Sequence, residues 1–180
     1  VTDNVMQKFN YAVEANATDV GDLTFTAFWN AGHASTTHGY STGASGPNEH
    51  QNVLDKFPFA SDGNATNIGN ISTISHNAHG GHSSTTHGYI SGGFTSPGTL
   101  DESIWKFSFA SDGDGTDVAD LAGKHKQHQG ISSTTHGYLA TGYGGSTSDI
   151  SRFLFATDGN AADTGADVTV SRNQAGQTQI

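Results

Sequence analysis

The chain has no cysteine, one methionine, three prolines and only seven lysines and arginines in 180 residues. Without cysteine there are no disulfides and no thiolate zinc sites. Seven bases against 17 acids give a formal net charge of −10. Such a chain has no cluster of cations to neutralise a phosphate backbone, so nucleic acid is excluded as a partner. No apolar run approaches the ~20 residues of a membrane-spanning helix, and membrane insertion is not expected. Phosphate loops, dinucleotide fingerprints, His-Glu-x-x-His and Gly-x-Ser-x-Gly elbows are also missing, so the chain reads as non-enzymatic, with no cofactor expected.

What is present is glycine, at 24 residues, with abundant Ser, Thr and Asn and a hydrophobic share of only 33 %. Such a composition suits short strands joined by turns rather than a helical bundle. Ten Phe, five Tyr and two Trp, regularly placed, argue for a packed core rather than disorder.

The order is a repeat. Ser-Thr-Thr-His-Gly-Tyr occurs at Ser35–Tyr40, Ser84–Tyr89 and Ser133–Tyr138, each 49 residues after the last. A second element occurs four times and alternates aromatics with a base: Lys8-Phe9-Asn10-Tyr11, Lys56-Phe57-Pro58-Phe59, Lys106-Phe107-Ser108-Phe109 and Arg152-Phe153-Leu154-Phe155. On a strand the aromatics share one face and the base takes the other. The bases are expected to pair with acids of an adjoining strand or unit, such as Asp22 or Asp120. Asp62-Gly63, Asp112-Gly113 and Asp158-Gly159 follow and predict tight hairpins. A further strand comes next, as in Thr18–Leu23 and Thr116–Leu121. Segments 44–51 and 94–102 vary between units and read as loops.

Each unit thus offers three or four antiparallel strands in about 46–50 residues. One such sheet cannot bury its aromatic face alone, so units must stack. The whole chain reads as one repeat domain, 1–180, with units near 1–51, 52–101, 102–148 and 149–180.

A strand ending in a Gly-Gly doublet, as at Gly92-Gly93 and Gly144-Gly145, then an aromatic strand, an Asp-rich turn and a further strand resembles the kelch repeat. Val20, Ile68, Val118 and Thr164 stand where kelch repeats carry tryptophan. The resemblance implies an all-β, kelch-like β-propeller of about four repeats. Closure could come from the chain alone, with Thr178–Ile180 as a short extra strand, or from association of chains as a homo-oligomer. The chain could equally be part of a longer array. The wording of the repeat also resembles uncharacterised repeat proteins of marine bacteriophages and environmental bacteria. That likeness implies an extracellular or virion-surface module, an adhesin or a phage tail or receptor-binding part. Its partner would be a surface glycan or a protein receptor. The alternative that the kelch likeness implies is an intracellular protein-interaction propeller, with an enzyme at the ring funnel a more distant one.

The candidate ligand-binding set is the hexapeptide's own His38, His87, His136, Tyr40, Tyr89 and Tyr138. Its histidines recur once per unit on separate blades, which favours hydrogen bonding within the blade over metal ligation. Trp29 and Trp105 offer further stacking faces for a glycan. The richest acidic loop supplies Asp112, Asp114, Asp117 and Asp120, oxygen donors spaced as a calcium loop would space them. An Asx-type turn with solubilising charge is the simpler reading of that loop.

Overall fold

The computed structural model describes residues 3–45, 50–96, 98–140, 142–144 and 148–170, with Ala27 and His50 described in backbone alone. Every regular element among them is a strand, and every pairing is antiparallel. β1 (Asp3–Lys8) and β2 (Thr18–Ala27) form a two-stranded sheet. β3 (Ala31–Ala34), β4 (His38–Ser45), β5 (His50–Pro58) and β6 (Thr66–Asn70) form a four-stranded meander. After the short β7 (His76–Asn77), the meander recurs as β8 (Gly80–Ser83), β9 (His87–Thr95), β10 (Thr99–Ser108) and β11 (Thr116–Asp120). β12 (Gln129–Ser132), β13 (His136–Ala140), β14 (Asp149–Leu154) and β15 (Ala162–Asp167) form it a third time. β7 pairs with both β5 and β9 and so ties the first two meanders into one sheet.

Local hairpins therefore define units at 31–70, 80–120 and 129–167, preceded by a half unit at 3–27. The boundaries expected from the repeat wording cut across these sheets. Each Thr-Thr-His-Gly-Tyr strand pairs with the Phe strand that follows it, as Gly88 opposite Phe107 shows. The sheets do not close into a ring among the described residues, and Thr178–Ile180 lies outside them.

Two sequence expectations are corrected. Residues 44–45, 50–51, 94–95 and 99–102 of these segments are strand: β9 runs on to Thr95, β10 begins at Thr99, and the register shift between Asp101 and Ile104 absorbs the extra residues. Gly43 and Gly92, both at φ 53°, place the chain where side chains rarely go and bend it there without ending it. The Asp-Gly pairs are not two-residue hairpins either. The Asp62 and Asp112 carboxylates reach a lysine of the preceding unit instead, and the backbone N–H of Gly63 donates to Val20 O at 2.7 Å.

The core lies between units. One cluster joins Tyr40 and Leu54 of the first meander, and Ile71 just after it, to Ile90, Trp105 and Phe107 of the second. The other joins Tyr89, Ile104 and Leu121 to Leu139 and Phe153 of the third. Neighbours Tyr89 and Ile90 thus serve opposite faces, as strand alternation requires. Each buried aromatic or large aliphatic contributes about 1.5–3 kcal/mol. Tyr40 stacks on Phe109 and Tyr89 on Phe155, both at a 4.8 Å centroid distance. Gly39, Gly88 and Gly137 pair across the strands with Phe57, Phe107 and Phe153. A Cβ on Gly88 would stand 2.2 Å from the Phe107 ring, so only glycine lets that ring lie over the strand.

Candidate functional site

The polar groups at the short inner strands form a ladder with the 49-residue step. His33 Nδ1 lies 3.0 Å from His82 O, and His82 Nδ1 lies 3.3 Å from Ile131 O. A carbonyl only accepts, so both Nδ1 atoms carry the proton and both Nε2 atoms accept. His33 Nε2 is 2.8 Å from Thr42 Oγ1, and His82 Nε2 is 2.8 Å from Ser91 Oγ. Each hydroxyl also faces a second imidazole: Thr42 meets His79 Nε2 at 3.3 Å, and Ser91 meets His128 Nε2 at 3.2 Å. The hydroxyl spends its proton on the first ring, so the second ring donates Nε2–H to it. The Nδ1 lone pairs of His79 and His128 are then left buried without a donor.

This pattern needs neutral imidazoles, and burial enforces it. Desolvation lowers His33 to about 4 and His82 and His128 to about 3, against small opposing hydrogen bonds. His79 is held well below the ordinary value by burial and by the neighbouring His76, His33 and His128. His76 bridges Ser72 Oγ at 2.8 Å and Asp101 Oδ2 at 2.7 Å. Burial alone would raise Asp101, but the bonds from His76 and Ser103 outweigh it and hold the carboxyl at about 2.

Above the ladder runs a second repeat of unusual backbone. Trp29, Ala78 and Gln127 all adopt positive φ, at 62°, 53° and 57°. They are 49 residues apart, and the N–H of Ala78 donates to Trp29 O and that of Gln127 to Ala78 O. Left-handed conformations at non-glycine residues cost about 1–3 kcal/mol each and gather where structure serves function. They rim a groove of about 240 Å³ with Asn30, His79, His128 and Gln129. The Trp29 indole stays 48 % exposed there, while Trp105 is buried.

At the other end of the inner strands, Ala34–Thr36, Ser83–Thr85 and Ser132–Thr134 line a groove of about 370 Å³. The hexapeptide builds its wall the same way each time. The serine hydroxyl, Ser84 for example, accepts the N–H of Thr86 and of His87 and donates to His87 O. The Thr86 hydroxyl lies 2.8 Å from His87 Nδ1, as Thr37 does from His38 and Thr135 from His136.

Of the residues singled out from sequence, His38, His87 and His136 are half-buried and anchored by these threonines. Tyr40 and Tyr89 are 2 % exposed, with their rings stacked on the next unit and not open to a ligand. Tyr138, which meets no following unit among the described residues, is half-buried. Asp112 pairs with Lys56, and Asp114 accepts the N–H of Asn70 at 2.8 Å. Asp117 and Asp120 lie along β11, where burial and then Asp120 and Asp101 raise Asp117. No three His, Asp or Glu side chains are grouped to hold a metal among the described residues. The recurring bases pair with turn acids of the next unit: Lys8 with Asp62, Lys56 with Asp112 and Lys106 with Asp158. The pairing crosses to the adjoining unit, as expected, but goes to turn acids and not to Asp22 or Asp120, whose backbone N–H groups donate to Asn64 and Asn160.

The ladder's histidines stand outside the hexapeptide and are scattered in the sequence. His33 and His82, and His79 and His128, each keep the 49-residue offset; aligning all polar residues at that offset finds both pairs. No protein-family model matches the chain, and no curated protein matches it.

Proposed function

We propose that the protein is a non-enzymatic binding module whose ligand is a glycan held in the Trp29 groove. One observation carries this reading: an exposed indole, fixed by a left-handed backbone, stands over a groove edged by Asn30, Gln127 and Gln129. Indole faces stack on the apolar face of a sugar ring, and amides both donate to and accept from sugar hydroxyls. Asn30 already donates to Ser41 Oγ at 2.8 Å, which orients its amide.

In this reading the scaffold is a kelch-like propeller, displayed outside a cell or on a virion. Supporting it are the four-stranded meanders at a 49-residue step and the packing of β3 against β8 and β8 against β12. The net charge of −10 and the hydroxyl-rich surface suit a soluble display module.

Tryptophan fluorescence titrated across a glycan panel tests the proposal. Only Trp29 is solvent-exposed, so a bound sugar shifts its emission, and Trp29→Ala removes both the signal and retention on the glycan. Retention unchanged in Trp29→Ala, or no response to any glycan on the panel, would sink it.

A further inference from the structure

The two junctions between the three meanders use one set of contacts. A tyrosine of one unit stacks on the aromatic pair of the next, Tyr40 on Phe107 and Phe109, Tyr89 on Phe153 and Phe155. Its hydroxyl donates to the second aromatic's carbonyl, at 3.5 Å for Phe109 and 3.4 Å for Phe155. A base of the first unit pairs with the turn acid of the next. The N–H of Asn70 and of Asp120 donates to a turn side chain, Asp114 or Asn160.

The two ends of the chain each carry half of this set. At the trailing end Tyr138 and Arg152 repeat Tyr89 and Lys106, and Arg152 is exposed with no acid partner among the described residues. At the leading end Phe9 and Tyr11 repeat Phe107 and Phe109. Their rings keep the same edge-to-face pose, with centroids 5.0 Å apart, yet they are 57 % and 94 % exposed. Glu14 stands at the position of Asp62, Asp112 and Asp158, and Asn16 at that of Asn64 and Asn160. The Asp62 carboxylate is already taken by Lys8, whereas Glu14 pairs with no cation among the described residues. The end pair also differs in kind: Arg and Glu replace the Lys and Asp of the internal junctions. Large exposed aromatics in one patch mark a surface that is covered in use.

We infer that a second copy of this chain docks head to tail, with Tyr138 and Arg152 of one copy on Phe9, Tyr11 and Glu14 of the next. The contact is heterologous, so it generates rings or filaments rather than isologous dimers. None of these residues lines the Trp29 groove, so this inference and the glycan reading stand or fall separately.

Sedimentation equilibrium of the full chain tests it with two charge reversals. The wild type is expected to associate as concentration rises. Glu14→Arg and Arg152→Glu each weaken association at least about tenfold, since like charges then face across the junction. An equimolar mixture of the two variants associates again, because the reversed front of one meets the reversed back of the other. A wild type that stays monomeric, or a mixture that behaves as its separate components do, overturns the proposal. So does a monomer that each reversal destabilises and the double reversal restores, which is the same junction closed within one chain.

Discussion

Acid should unfold this protein well above the carboxylate range. His33, His82 and His128 are neutral in the fold, with values lowered by burial to about 4, 3 and 3 from an ordinary 6.5. The unfolded chain takes up these protons near pH 6.5, and the folded chain takes them up only near pH 3–4. Between those limits the unfolded state binds more protons, so stability rises with pH. The contribution is complete above about pH 6.5 and is lost as pH falls toward the folded values. At pH 5 each histidine is about 1.5 units below its unfolded value, which at ~1.36 kcal/mol per unit is about 2 kcal/mol. The three together remove about 6 kcal/mol, much of the ~5–15 kcal/mol that holds an ordinary domain folded. His79 acts in the same direction. Asp101, held at about 2, gives up its stabilisation only below its ordinary value of 3.8, outside this window. Urea midpoints at pH 7.5, 6.5, 5.5 and 5.0 measure the effect. A steep fall below pH 6.5 is expected. Midpoints that stayed level to pH 5 would refute the buried, neutral ladder.

Two further substitutions probe its surroundings. Gly88→Ala puts a Cβ 2.2 Å from the Phe107 ring and should cost about 1–3 kcal/mol in a denaturant titration; a neutral result would mean that the ring does not cover the strand. Ser91→Ala takes the shared hydroxyl from both His82 and His128 and should cost about 1–3 kcal/mol, while Ser91→Thr keeps the hydroxyl and recovers part of that. Equal losses for Ala and Thr would place the cost in packing rather than in the hydrogen bond.

The sequence made the repeat, the strands and their faces legible because aromatics alternate with a base in every copy and glycines recur opposite them. It also made legible the hydrogen bonding by the hexapeptide within its own unit, as at Ser84 and Thr86, but not the stacking of Tyr89 on the next unit. It hid the ladder because buried polar groups are satisfied by partners a whole unit away, and composition reads such residues as surface. It hid the acid partners of the lysines for a similar reason. The nearest acids in sequence lie on the same unit, whereas Lys56 reaches across the junction to Asp112. Trp29 was legible as a stacking face, but its groove was not, because the positive φ shared by Trp29, Ala78 and Gln127 leaves no mark in residue type.

The account rests on junctions between units, and the repeated tyrosine tests this with its own internal control. Tyr89 and Tyr138 stand in identical hexapeptides, but among the described residues only Tyr89 stacks on a following unit. Urea unfolding of Tyr89→Ala and Tyr138→Ala, at concentrations where the chains are monomeric, separates the two. Tyr89→Ala should cost ~3–5 kcal/mol, as loss of a buried aromatic does, and Tyr138→Ala at least about 2 kcal/mol less. Equal losses at the two positions would contradict the claim that this residue works by joining one unit to the next.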